Sequence, residues 1–283
     1  MTNFARTFGQ DLMRGEHRVG GGQVNALASV EARRACPGGH SGSPLSAYTV
    51  SDDTQSGTSI FDPVLTELCY RWFCPPHGHI LDPFAGGSVR GIVASVLGYT
   101  YTGHELREEQ VAANRAQAAA ICPENPPHWI TGDSGQTLRA LPNIAADFLF
   151  SCPPYGDLEV YSDDPADLST MPHDAFIARY ADIVAAGVER LKPDRFAAFV
   201  VGDFRCKRGF YRNFTGATVA AFEAAGARLY NEAILVTAVG SLPVRVGKQF
   251  KAGRKLGKTH QNILVFCKGD PKRAASACEG EAA

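Results

Sequence analysis

The sequence has no excess of charge of either sign, no paired metal-ligand spacings and no long apolar run, and each absence removes a class of function. Lysine and arginine total 28 against 29 acids over 283 residues, a formal net charge of −1, so a surface for a polyanion has to be local. The eight cysteines include no C-x2-C pair, and no histidine cluster stands at ligand spacing, so neither a structural zinc nor any other metal is expected. The N-terminus lacks the apolar core of a signal peptide, which predicts reduced thiols and a cytoplasmic location. No segment approaches bilayer length, and no membrane partner is expected. What remains is a hydrophobic content of 45%, enough for one substantial core and a small appendage.

Residues 1–57 are rich in Gly, Ser, Ala and charge, with Gly20-Gly21-Gly22 and a Pro/Gly/Ser tract at 37–44, and carry no hydrophobic period. A flexible or irregular arm is expected there. From Ser59 onward strand-like and helical runs alternate: helix 63–73, strand 79–81, helix 89–97, strand 99–103, helix 108–121, strand 129–131, strand 147–150, helix 174–191, strand 196–201 and helix 215–225. This alternation predicts an α/β, doubly wound and mostly parallel sheet whose ligands sit at the carboxyl ends of its strands. The last strands, 229–236 and 262–266, have no helix between them and should pair antiparallel, joined by a long basic loop. The expected domain therefore spans 58–269, and the Ala- and Glu-rich residues 270–283 read as a disordered tail.

Three strand ends carry candidate contacts. Asp82-Pro83-Phe84-Ala85-Gly86-Gly87 follows the first strand and precedes a helix, so its glycines let the backbone approach a nucleotide-like ligand at the helix start. Glu105 ends the second strand, where a carboxylate can accept from both hydroxyls of a ribose. Asp133, with the Ser134 amide beside it, ends the third and is suited to the edge of an adenine. A nicotinamide enzyme shares the glycine turn and the acid, but Gly86-Gly87-Ser88-Val89-Arg90-Gly91 is not G-x-G-x-x-G, and no phosphate-binding G-x-x-x-x-G-K-[ST] is present. The fourth strand runs into Ser151-Cys152-Pro153-Pro154-Tyr155, where two prolines fix the backbone and present an aromatic ring to a flat heterocycle.

With these segments in this order, the chain resembles the S-adenosylmethionine-dependent DNA amino-methyltransferases. Its Cys152 to Glu159 stretch is similar to the methylase-like proteins of phages and prophages. The resemblance covers about residues 58–268. It implies a Rossmann-like class I methyltransferase fold, S-adenosylmethionine as cofactor, and methylation of N4 of cytosine or N6 of adenine on a base flipped out of double-stranded DNA. A role in DNA modification, within restriction systems or phages, goes with it. It also implies that Thr58, Ser59 and Phe61 contact the cofactor. Two departures stand out: Gly86-Gly87-Ser88 replaces the usual Gly-Ser-Gly, and Cys152 occupies the place of an Asp, Asn or Ser oxygen acceptor.

An exocyclic amino nitrogen is a poor nucleophile because its lone pair is delocalised, so the site needs acceptors that hold its N–H groups. Thiol sulfur is a weak acceptor. Ser151, one residue early, and Asp157, a turn beyond, are the alternative sources of oxygen, and Glu159 is a candidate contact to the base edge. Cys152 also raises C5-cytosine chemistry through a thiolate; an RNA methyltransferase is the nearest alternative, and a catalytically inactive DNA- or cofactor-binding protein is the reading from another class.

For the nucleic acid itself, residues 243–260 hold Arg245, Lys248, Lys251, Arg254, Lys255 and Lys258 with no acid, and Phe250 lies among them. Arg205, Lys207, Arg208 and Arg212 form a second basic patch, which Asp203 is expected to order, at the same end of the sheet. The residues leave the oligomeric state open, a homodimer included.

Overall fold

The computed structural model describes residues 61–141, 145–237 and 242–279. The expected N-terminal arm, with Thr58 and Ser59, lies outside them, as do the side chains of Asp157 and Arg245. Two compact units are present, Met1–Glu67 and Leu68–Ala283. Helix α1, Pro63–Phe73, spans that division. It starts where Asp62 accepts hydrogen bonds from the Val64 and Leu65 amides at 2.8 and 3.3 Å, with proline in the first turn, where its missing N–H costs nothing.

The second unit is built on a seven-stranded sheet. Along the chain come β1 (His79–Asp82), α2 (Val89–Val96), β2 (Thr100–Glu105), α3 (Glu108–Ile121), β3 (His128–Thr131), α4 (Ser134–Ala140) and β4 (Ala146–Ser151). These are followed by α5 (His173–Arg190), β5 (Leu191–Val201), α6 (Phe214–Ala224), β6 (Arg228–Val236), α7 (Leu242–Gly253), β7 (His260–Lys268) and α8 (Pro271–Cys278). The sheet order is β3-β2-β1-β4-β5-β7-β6. The first five strands are parallel, and β7 runs antiparallel to both β5 and β6. This is the doubly wound, mostly parallel sheet with an antiparallel final pair that the sequence implied.

Apolar patterning explains the layers. All six residues of β4 are buried, as expected of a central strand covered on both faces. Helix α5 turns Phe176, Tyr180, Ile183, Val184 and Gly187 inward at helical spacing. At Gly187 a Cβ would meet the Leu149 side chain at 3.2 Å, so glycine there lets the helix lie close to the sheet. In the same core cluster, the Phe222 and Phe266 rings stack at 3.9 Å between centroids.

Two expectations are corrected. The loop expected before the last strand is in good part helix α7, and the tail expected to be disordered forms α8. Asp270 caps α8 by accepting from the Lys272 and Arg273 amides at 2.8 and 3.0 Å, and Arg273 then reaches Asp194 at 2.6 Å. Burial of Ala274 supplies the apolar anchor that the composition of the segment had hidden.

The topology fixes where a site can form. Asp82, Glu105, Thr131, Ser151 and Val201 end the parallel strands at one edge. Because β7 runs the other way, pairing Asn262 with Val201, its first residues arrive at that same edge.

Candidate active site at the carboxyl edge of the sheet

Asp82 is fully buried and its carboxylate is a hub. Oδ2 accepts from Arg90 Nε at 2.6 Å and from the Tyr101 hydroxyl at 2.8 Å, while Oδ1 accepts from Ser151 Oγ at 2.5 Å and from the Phe84 amide at 3.1 Å. Every acceptor position is occupied by protein. Asp82 therefore shapes the turn from beneath and has no lone pair to offer a ligand, a correction to its expected role as a contact. The same geometry corrects Ser151: it is buried, donates to Asp82 and accepts from the Phe84 amide at 3.1 Å, so its hydroxyl is spent on the turn after β1. Burial alone would lower the Arg90 pKa, but Asp82 outweighs it and holds the guanidinium charged. Arg90 also donates to the Phe84 and Ala85 carbonyls at 2.5 and 2.9 Å. The sequence held no sign that Arg90 or Tyr101 would meet Asp82.

Above this hub the glycine turn is open. Gly86 has a φ of +52°, a conformation that favours glycine, and nothing lies within 4 Å of where a Cβ would sit on it or on Gly87. The turn is braced from behind by Asn114, fully buried, which donates to the Gly86 carbonyl at 2.8 Å, and by Ser88 bonded to Gln117. Glu105 faces the turn: its carboxylate accepts from the Gly86 amide and from the Arg107 amide, each at 3.0 Å. Burial raises its pKa, against the opposing pull of Arg107 and of the Gly86 amide. An open cradle, two glycines wide and flanked by a mostly buried carboxylate, is the feature that a dipolar or hydroxyl-bearing ligand would fill.

At the third strand end, Asp133 caps α4 by accepting from the Gly135 amide at 3.0 Å and forms an ion pair with Arg179 of α5. Arg179 in turn bridges to Asp182 at 2.7 Å. Ser134 donates its hydroxyl to the Pro83 carbonyl at 2.6 Å, which ties α4 to the first turn. Arg179 was not foreseen, since it stands 46 residues from Asp133 and on another element. Phe84 stacks beside Tyr180 at 5.9 Å and belongs to the core wall. Phe61 opens the described chain, in the first unit.

The Cys-Pro-Pro-Tyr segment leaves β4 next to this cradle. Pro153 is buried, and Pro154 and Cys152 are partly exposed. Burial pushes the Cys152 thiol up, and its Sγ lies 3.8 Å from the Tyr155 hydroxyl. That hydroxyl accepts from Gln261 Nε2 at 2.7 Å, and the Tyr155 ring meets Phe214 edge-on at 6.1 Å. Gln261, the second residue of β7, was not among the residues expected here. Asp157 lies in the 3-10 turn Gly156–Leu158. Glu159 accepts from the Tyr161 hydroxyl at 2.8 Å, so the acidic stretch is in part held by its own side chains.

The basic residues divide by role. A short hairpin follows β5, closed by the Arg205–Tyr211 bridge and by backbone bonds Cys206 to Phe210 and Arg212 to Phe204, both 2.9 Å. Arg205 is spent on this hairpin: it donates to the Gly209 carbonyl at 2.8 Å and lies 3.8 Å over the Tyr211 ring. Asp203 accepts from the Thr215 amide at 3.1 Å and so orders the start of α6. Lys207 and Arg208 are exposed and Arg212 half-buried. On α7, Lys248 and Lys251 are exposed, and beyond it Arg254 sits 5.1 Å over Phe250. Lys255 touches the hairpin turn, its Nζ 3.0 Å from where a Cβ on Gly209 would be, and Lys258 Nζ lies 3.9 Å from the same point on Gly202. Two basic segments far apart in sequence thus converge beside Tyr155 and Gln261.

No protein-family model matches the chain, and no curated protein matches it. Solved structures do. The [4+2]-cyclase SpnF shares 13% identity over 74% of this chain and 82% of its own, with a TM-score of 0.52. TrmN from Thermus thermophilus shares 18% identity over 74% of this chain, with a TM-score of 0.48, and only 49% of the TrmN chain is covered. Magnesium protoporphyrin IX methyltransferase from Synechocystis PCC 6803, solved with bound S-adenosylmethionine, shares 12% identity over 94% of both chains, with a TM-score of 0.48. At such identities the likeness is one of fold.

Proposed function

We propose that this chain transfers a methyl group from S-adenosylmethionine to the exocyclic amino group of a DNA base, N4 of cytosine or N6 of adenine, swung out of the double helix. The observation that carries the reading is the cradle at Gly86 and Gly87, open where side chains would otherwise stand and flanked by the Glu105 carboxylate. When bound, the sulfonium supplies a methyl group electrophilic enough to need no further activation.

The chain's own residues then do the positioning. Glu105 can accept from a vicinal diol, since Oε2 receives the Gly86 amide at 3.0 Å and has a second acceptor site, while Oε1 receives the Arg107 amide at 3.0 Å and lies 3.6 Å from the Arg107 guanidinium. The prolines hold the segment after β4 rigid, and Tyr155, anchored at its hydroxyl by Gln261, offers ring surface to a base. With Ser151 bound to Asp82, the acceptors left among Ser151 to Tyr155 for an amino N–H are the Cys152 sulfur and the backbone carbonyls that the prolines aim. A raised Cys152 pKa keeps the thiol protonated near neutrality, which favours amino-group chemistry over thiolate addition at C5.

The test is nucleoside mass spectrometry after incubating the protein with S-adenosylmethionine and unmodified double-stranded DNA, with RNA in parallel. N4-methylcytosine or N6-methyladenine in the DNA is the expected product. C5-methylcytosine, methylation confined to RNA, or no product on either would overturn the proposal.

A further inference from the structure

Beside the Cys-Pro-Pro-Tyr segment lies a cavity of about 670 Å³ that methyl transfer itself does not require. Of the motif loop it touches only Gly156, whose φ is +56° and over which the Phe204 ring packs, 2.8 Å from where a Cβ would be. Its inner wall is aromatic, with Phe176 and Phe204, and its rim is the hairpin after β5, bearing Lys207, Arg208 and Arg212. Phe210 and Tyr211, also on the rim, are 66% and 47% exposed. Adjacent aromatic rings left this open beside three cations are poorly explained by packing.

The hairpin holds these rings in place. Arg205 covers one face of Tyr211, and Arg208 stands 5.7 Å from the Phe210 centroid. Lys255 reaches the hairpin turn at Gly209 from the other basic segment and adds a cation to the hairpin that forms the rim. Aromatic faces next to guanidinium and ammonium groups match one kind of ligand, a planar base that carries a phosphate. An acidic peptide would use the cations but not the rings, and a hydrophobic partner the reverse.

We propose that this cavity is a subsite for a nucleotide neighbouring the target. Its base stacks on the Phe210–Tyr211 platform, and its phosphate lies among Arg208, Arg212 and Lys255. The enzyme then grips an opened strand at the target and beside it, and does not rely on the duplex surface alone. This inference rests on the nucleic-acid part of the function proposed above, but not on methyl transfer.

The experiment is fluorescence anisotropy with the full chain and two labelled probes, single-stranded oligothymidylate and an abasic oligomer of equal length, over a range of salt. One stacked base contributes about 1–3 kcal/mol, so the wild type should prefer the probe with bases by about 5- to 150-fold. Phe210→Ala and Tyr211→Ala should each remove at least about fivefold of that preference and leave abasic binding unchanged. Arg208→Ala should weaken both probes and reduce the slope of affinity against salt by about one. Equal affinity of the wild type for the two probes, or a preference unchanged in both aromatic variants, would overturn the subsite. Cofactor binding, followed by calorimetry on the same proteins, separates the two failures. Base preference without cofactor binding sinks only the methyl-transfer reading; cofactor binding and methylation without base preference sink only the subsite.

Discussion

Replacing Arg90 with methionine isolates what the buried hub contributes. The Arg90 and Asp82 side chains are 5% and 0% exposed and meet at 2.6 Å, so removing the cation leaves a carboxylate that solvent cannot reach. Breaking such a pair from one side costs about 3–5 kcal/mol. The Phe84 and Ala85 carbonyls also lose a donor, which puts the expected loss toward the upper part of that range. For a unit of this size each kcal/mol lowers the melting temperature by about 2–4 °C, so Arg90→Met should melt on the order of 10 °C below the wild type. Asp82→Asn should cost a similar amount, because its amide nitrogen would face a donor. The double variant should lose less than the two losses added, by at least about 1 kcal/mol, since with both groups replaced no charge is left stranded. Urea unfolding, followed by circular dichroism and by the emission of the buried Trp129, measures all three differences. Cofactor affinity should fall in both single variants although neither side chain reaches the cradle, because Asp82 carries the turn. A loss below about 1 kcal/mol for Arg90→Met, or additivity within about 0.5 kcal/mol, would refute the hub.

Other substitutions separate the cradle from its scaffold. Gly87→Ala meets open space and should change stability by less than about 0.5 kcal/mol while lowering S-adenosylmethionine affinity by about tenfold, as read by calorimetry; Gly86→Ala should add a backbone penalty of about 1–2 kcal/mol from its positive φ. Arg179→Ala should free the Asp133 carboxylate from its ion pair and weaken cofactor binding, and Arg179→Lys should recover part of the loss, both measured as dissociation constants. His104, buried and hydrogen-bonded only through Nδ1 to Thr137 at 2.7 Å, has its pKa lowered by burial to about 4 from an ordinary 6.5. The unfolded chain therefore binds the extra proton first. The stabilisation is complete above pH 6.5 and is lost as pH falls to about 4, a change on the order of 3 kcal/mol in urea unfolding that His104→Gln should flatten.

Much of the sheet was readable because each parallel strand is a short apolar run closed by a turn residue, and because right-handed crossovers leave few ways to arrange such runs. The helix over Leu242–Gly253 was not, since Pro243, Gly247 and Gly253 read as loop chemistry; proline in a first turn is in fact compatible with a helix start. Helix α4 went unseen because its cap, Asp133, was read as a ligand contact, and the residue is in fact engaged as the cap. The helix after Asp270 carried its signature, an acid followed by proline, but the composition of the segment outweighed it. The positions of Gly86, Gly87 and Glu105 at their strand ends were legible from the apolar runs before them. The partners that decide what Asp82, Ser151 and Asp133 can do were not. Arg90, Tyr101 and Arg179 come from other elements, and pairing of that kind leaves no local spacing to read.

The anchoring of α8 has a practical consequence. Asp270 and Arg273 bind Asp194, and Lys268 donates to the Val188 and Leu191 carbonyls at 2.7 and 2.6 Å, so the helix sits where β5 begins to pair with β7, at Arg195. From there to Val201 the strand rises about 20 Å before it reaches the edge that carries the cradle. A dye, a surface tether or a fused reporter joined after Cys278 would therefore approach from the end of the sheet remote from both the glycine turn and the basic hairpin, and should leave ligand binding at that edge unchanged.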